Sequence, residues 1–259
     1  MPQFSVAVQM YTLRKLIKTQ DDFLETCKQV ARIGYQGIEI TDMRSLMRAD
    51  ELHARTSELG LKIVAVHVPI EVLENDFDLV TSYYSAAGVS QIVMPWLDAA
   101  RRRSAEDWMK VARELSKIAD LLGRRGMMFS YHNHDFEFAK YDGKTALEII
   151  FNNTVPEKVH WEADAYWMKF AEMDPVALIR KNNHRISLLH CKDLANGPGK
   201  RFAPVGTGLL DWLNIFLAAS AAHVQWIIVE QDDCYETSPL DAIRTSFKNL
   251  QGMYVVRSV

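Results

Sequence analysis

The chain has 259 residues, of which 48% are hydrophobic; that is enough for one sizeable core, at a length where α/β barrels routinely form one domain. A formal charge of −3 gives no electrostatic basis for tight binding to nucleic acid or an anionic membrane. The cysteines, Cys27, Cys191 and Cys234, are odd in number and widely spaced, which argues against a disulfide framework.

Strand-like runs are expected at Ser5–Met10, Gly37–Ile40, Lys62–Val66, Gln91–Met94, Met127–Tyr131, Val159–Glu162, Ile186–Leu189 and Trp226–Val229. They recur at intervals of about 30 residues, the size of a βα unit. Amphipathic patterns fill the gaps at Asp21–Ile33, Ala49–Leu59, Ser104–Leu122, Thr145–Phe151, Pro175–Lys181, Leu210–Ala221 and Pro239–Leu250. Asp174-Pro175 and Ser238-Pro239 read as helix starts, a capping side chain followed by Pro at the first helical position. Alternating strands and helices predict a parallel sheet, and closing it gives a (β/α)8 TIM barrel spanning residues 1–259 as one domain. An open doubly wound sheet is disfavoured, because no Gly-x-Gly-x-x-Gly follows the first strand. No apolar run reaches the roughly 18 residues of a membrane span, and Met1–Phe4 does not begin a signal-peptide pattern, so the cytoplasm is the expected compartment. The clusters Arg101-Arg102-Arg103 and Arg124-Arg125 sit beside predicted helices and read as solvated faces.

Chemistry in such a barrel sits where the strands end. There the sequence places Glu39, His67, Trp96, His132, His134, Glu162, Asp164, Trp167, His190, Lys192, Glu230 and Asp232. Alternation along a strand puts His132 with His134, Glu162 with Asp164, His190 with Lys192 and Glu230 with Asp232 on shared faces, and turns Cys191 away. A mixed carboxylate and imidazole set suits one divalent Mn, Zn, Co or Fe ion better than Mg or Ca. His53, His184 and His223 fall on helices or loops and read as surface residues. Gly206-Thr207-Gly208 with Lys200-Arg201 is either a phosphate-holding loop or a plain one.

The segments Val8-Gln9-Met10-Tyr11, Gly37-Ile38-Glu39, His67-Val68-Pro69, His132-Asn133-His134-Asp135-Phe136-Glu137, Asp164-Ala165-Tyr166-Trp167, His190-Cys191-Lys192-Asp193, Val205-Gly206-Thr207-Gly208 and Val229-Glu230-Gln231-Asp232 carry a family resemblance in their order and placement. The chain resembles, over essentially its whole length, the xylose-isomerase-like superfamily of sugar isomerases and epimerases, with ketose 3-epimerases and inosose-processing enzymes among them. The resemblance implies a metal held by an acid after strand five, Asp after strand six, His after strand seven and Glu after strand eight. The last three match Asp164, His190 and Glu230. The strand-five position is His132, a departure that keeps a ligand but removes one of the two glutamates those epimerases use as bases.

The expected function is therefore metal-dependent isomerisation or epimerisation of a keto or open-chain sugar through an enediolate. Glu230 is the expected base, with a moderately raised pKa; His132 and Glu162 are further catalytic candidates. His67, Glu39, His134, Glu137, Lys192, Trp96 and Trp167 are the expected substrate contacts. A lyase or hydratase on a 3-keto sugar or inosose shares the first step and stays open, as does a non-catalytic sugar-binding barrel. The partner expected is a small sugar, without nucleic acid or membrane. The resemblance also implies that a homo-oligomer paired through outer helices can form, without identifying the face.

Overall fold

A computed structural model describes residues 2–257; the outermost residues of the expected 1–259 domain lie outside it. Eight parallel strands close into a barrel: β1 (Ser5–Gln9), β2 (Gly37–Ile40), β3 (Lys62–His67), β4 (Gln91–Met94), β5 (Met128–His132), β6 (Val159–Asp164), β7 (Ile186–Cys191) and β8 (Trp226–Val229). Each strand pairs with its sequence neighbours, and β1 pairs with β8 to close the ring. The outer helices are α1 (Gln20–Ile33), α2 (Ala49–Glu58), α3 (Phe77–Ala86), α4 (Ala105–Gly123), α5 (Ala146–Asn152), α6 (Pro175–Lys181), α7 (Trp212–Ala221) and α8 (Pro239–Gly252). No helix among the described residues is long and apolar enough to cross a membrane.

The strands carry apolar side chains on both faces because both faces are covered. One set, including Val6, Val8, Ile38, Val66, Ile92, Tyr131 and Cys191, packs outward against the helices. The inner set, Ala7, Val64, Ala65, Val93, Leu188 and Ile228, forms a dry plug inside the barrel, with Trp226 against it. Gly37 is required there: a Cβ would lie 2.8 Å from the Trp226 ring and from Val64. The register shifts once between β2 and β3 and once between β6 and β7, adding Val64 and Ser187 to the inside. Ser187 joins Gln91 and Ser130 in a closed triad of hydrogen bonds of 2.8–2.9 Å, which pairs these three side chains with one another inside the barrel.

Helix starts follow local chemistry. Thr19 with Asp22, and Thr145 with Glu148, form reciprocal capping boxes on α1 and α5. Ser104 accepts from the Asp107 amide at 3.1 Å, and Asp174 accepts from the Val176 amide at 2.9 Å ahead of Pro175. Ser238 departs from expectation: its side chain makes no capping bond, and Pro239 alone shapes the start of α8. The sequence reading placed no helix between β3 and β4, yet Ile70–Asn75 and α3 lie there. Their first residues, Pro69 and Asp76, provide no side-chain cap that would mark them.

Candidate active site

The C-terminal ends of the strands open into a cavity of about 740 Å3. His67, His132, His134, Lys192, Glu230 and Asp232 line it, and Trp96 and Trp167 stand on its walls. Below its floor, fully buried, lie Glu39, Glu162, Asp164 and His190. The strand geometry produces this convergence: β5, β6, β7 and β8 each present residues two apart toward the axis.

His132 and His190 form a partition between two layers of acids. His132 directs Nδ1 at Glu162 Oε2 (2.8 Å) and Nε2 toward Asp164 Oδ2 (3.7 Å). His190 directs Nε2 at Glu39 Oε2 (2.6 Å) and Nδ1 at Glu230 Oε2 (3.0 Å) and Asp164 Oδ2 (3.9 Å). The lower carboxylate of Glu162 is shared by a third imidazole, His67 Nε2, at 2.8 Å. Gln9 Nε2 donates to Glu39 Oε2 at 2.8 Å and fixes that acid from β1. In the upper layer the Lys192 ammonium lies 2.6 Å from Glu230, 3.1 Å from Asp164 and 3.1 Å from Asp232.

Charge sets the protonation of these groups. Burial, reinforced by positive His190 and Lys192 nearby, drives His132 well below the usual histidine range, so its imidazole is neutral. Burial likewise holds His134 neutral. Burial also opposes charge on His190, but Glu162 and Glu39 outweigh it and hold His190 well above that range when no metal competes. Burial works against the Glu230 carboxylate, yet Lys192 and His190 pull its pKa well below the normal range. The raised base expected at this position is therefore not found. Asp232 is the acid lifted instead, to about 7, by burial against the opposing pull of Lys192.

His132, Asp164, His190 and Glu230 bring one donor atom each within 4.8 Å of one another. Tetrahedral ligands at about 2.1 Å from an ion lie about 3.4 Å apart, close to the wider separations here. Asp164 Oδ2 is buried without a hydrogen-bond partner, although Lys192 approaches it within ion-pair distance. Five acids, Glu39, Glu162, Asp164, Glu230 and Asp232, surround this space. With Lys192, His67 and His190 all positively charged, the cluster carries two surplus negative charges once all five acids ionise; burial raises Asp164 and Asp232 against that state, and a cation among them would favour it. Donor set, orphaned oxygen and charge all fit one divalent cation. A second grouping of His67, His132, Glu162 and His190 meets the same distance criterion. In it Glu162 is hydrogen-bonded to His67 and His132 at 2.8 Å and lies 3.2 Å from His190, a placement from which a carboxylate can orient the histidines from behind.

Other expected residues fall elsewhere. Glu39 and Glu162 share the axial face but lie one layer below the cavity. Glu137 does not line the cavity: it is buried behind β5, where it accepts from the Tyr131 hydroxyl and from the His134 amide at 2.7 Å. The Gly206 and Gly208 amides both donate to Asp193 Oδ2, at 2.9 and 3.0 Å, and are unavailable to a phosphate. Cys191 faces the outer core, and His53, His184 and His223 are exposed. The sequence reading missed two supporting residues. Asn133 Oδ1 accepts from the Asp164 amide (3.0 Å) and Trp161 Nε1 (2.8 Å), tying β5 to β6 beside the upper layer. Asp193 accepts from four amides and Trp212 Nε1, organising the whole loop after β7. The available signal was a polar residue directly after a site residue, Asn133 after His132 and Asp193 after Lys192.

A family model described as xylose isomerase-like TIM barrel matches residues 27–252. An inosose dehydratase from Clostridium botulinum (strain Alaska E43 / Type E3) is 23% identical over 261 residues, covering 86% of each chain. A solved sugar phosphate isomerase/epimerase from Parabacteroides distasonis superposes with a TM-score of 0.86 at 22% identity, covering 99% of this chain and 96% of that one. The structure of the IOLI protein with a bound zinc atom superposes with a TM-score of 0.77 at 16% identity, covering 99% of this chain and 100% of the other. By fold, strand-end residues and family match, this chain belongs to the xylose isomerase-like TIM-barrel family.

Proposed function

We propose that this barrel is a divalent-metal-dependent enolising enzyme that eliminates water from a polyhydroxylated ketone, a keto sugar or an inosose. The observation that carries the reading is the convergence of His132, Asp164, His190 and Glu230 beneath a cavity that also exposes Lys192. The similarity to inosose dehydratases and the zinc bound by the IOLI protein support it. A divalent Mn, Zn or Co ion held by those four residues would supply Lewis-acid polarisation of the ketone.

Glu230 lines the cavity and is ionised, so it serves as the base that takes the proton α to the carbonyl. The C–H electron pair moves onto the carbonyl oxygen; the Lys192 ammonium, whose three donors face Glu230, Asp164 and Asp232, contributes positive field there rather than a hydrogen bond. Collapse of that enolate restores the C=O bond, forms a C=C bond and breaks the β C–O bond. Glu230 returns its proton to the departing hydroxyl, one water leaves, and the base is regenerated. Epimerisation by proton exchange on two faces needs a second base. His132 occupies that position as a neutral imidazole whose nitrogens face Glu162 and Asp164. Elimination needs only the one base, and this moves the reading from epimerase toward lyase.

The test is incubation of Mn-, Co- or Zn-loaded protein with inososes and 3-keto sugars in deuterium oxide. The account expects products lighter by one water from wild type and none from Glu230→Gln. Epimers without loss of water would restore the epimerase reading. No exchange and no product with any metal would favour a sugar-binding barrel.

A further inference from the structure

The reacting groups occupy only the inner part of the cavity. His67, His132, Lys192, Glu230 and Asp232 crowd around the strand ends. The outer wall is built mainly from Tyr11, Pro69, Pro95, Trp96, Trp167 and Phe202, with Thr41 and Asp42 after β2 as its polar edge, Asp42 being paired with Arg44. Trp96 is 48% exposed and Tyr11 is 42% exposed. Trp96 stacks on no other ring among the described residues; only the Arg102 guanidinium approaches it, at 5.9 Å from the ring centre. The Arg14 guanidinium covers one face of the Tyr11 ring at 3.9 Å from its centre, so Trp96 is the rim ring that offers flat apolar surface to a ligand. At about 740 Å3 the cavity falls within the range that encloses drug-sized ligands, well beyond the needs of one small ring.

The cations around the mouth are already committed. Arg14 donates to the carbonyl oxygens of Tyr11 and Asp232 at 2.7 and 2.8 Å. Arg102 donates to the Leu97 carbonyl oxygen and lies 3.6 Å over the Phe136 ring. Arg44 is forked onto Asp42, and Arg201 pairs with Glu236. Lys192 is enclosed by three acids, and the glycine amides of the loop after β7 bind Asp193. A dianionic phosphate would thus enter an acidic site without a free donor cluster.

We infer that the substrate is an unphosphorylated glycoside whose reacting ring carries a ketone and sits on the polar floor, with a second ring stacked in the outer half of the cavity against Trp96. This rests on the enolising reading for the identity of the floor, but the outer subsite is tested by binding alone. Isothermal titration of metal-loaded wild-type protein would compare free sugar, phenyl glycoside and sugar 6-phosphate in the gluco, galacto and manno configurations, all of which lack the ketone and so are bound without turnover. In at least one configuration the phenyl glycoside should bind about tenfold more tightly than the free sugar, the equivalent of about 1.4 kcal/mol and in the range of a good aromatic stack. The 6-phosphate should show no gain. Adding Trp96→Ala should bring the glycoside-to-sugar ratio close to one, and Trp96→Phe should keep most of it. Glycosides that bind no better than free sugars in every configuration, or not at all, would overturn the inference. So would a preference for the phosphates, or a ratio indifferent to Trp96→Ala. Failure of the enolising reading would appear separately, as absent metal or absent proton exchange in the wild type.

Discussion

At the scale of single residues, burial decides what each acid does. Glu137 is pushed up to about 8 by desolvation, against the pull of the Tyr131 hydroxyl and the His134 amide. Its folded-state pKa exceeds the ordinary 4.5, so the folded chain holds this proton more tightly than the unfolded chain. The stabilisation is complete below about 4.5 and drains away as pH rises to about 8. Glu137→Gln, a neutral isostere, should therefore gain stability relative to wild type across that window, by an amount on the order of a few kcal/mol; urea unfolding from pH 5 to 8.5 measures it, and a constant difference would refute the assignment. Glu162 differs: burial opposes its charge, but His190 and His67 hold it ionised. Because it buttresses His132 from behind, Glu162→Gln should weaken metal affinity about 10- to 100-fold without unfolding the protein. Unchanged affinity would deny it that role. The sequence revealed that Glu162 and Asp164 share a face, since alternation along a strand is a matter of local geometry. The place of Glu162 two residues before Asp164 also set it deeper in the barrel; the depth of Glu39 was not legible, because it depends on strand tilt and on the register shifts at Val64 and Ser187.

At the scale of elements, capping and loop architecture carry the contrasts. Ser104 caps α4 through its side chain, whereas Ser238 makes no such bond on α8. Ser104→Ala should cost about 1 kcal/mol and Ser238→Ala only a few tenths, as read by denaturant titration. Equal costs would contradict the capping assignment. The loop after β7 is wrapped around Asp193, and Gly208 stands there because a Cβ would lie 2.3 Å from the Leu194 carbonyl oxygen. Asp193→Asn would turn an amide donor toward donors, so it should destabilise by about 3 kcal/mol or more. Hydrogen exchange at Gly206, Gly208 and Leu210 should accelerate with it; unchanged protection at those amides would show another anchor. The eight strands were legible because buried parallel strands read as short apolar runs. The helix α3 was not, because its start carries no capping side chain and its sequence is not strongly punctuated.

At the scale of the whole molecule, the barrel aims four strands' worth of donors at one point and leaves that point negatively charged. Their order along the chain made the candidate ligands visible in the sequence. The neutral state of His132 and the depressed pKa of Glu230 were not visible, because both arise from charges on other strands. The measurement that bears most directly on the central claim is metal analysis of purified wild type beside an Asp164→Ala, His190→Ala double variant, with thermal melts before and after chelation. The account predicts about one Mn, Zn, Co or Fe ion per wild-type chain, a lower melting temperature once it is chelated, and neither ion nor chelator sensitivity in the variant. A wild-type chain that holds no divalent ion, even after one is supplied, and melts identically with and without chelator would contradict it.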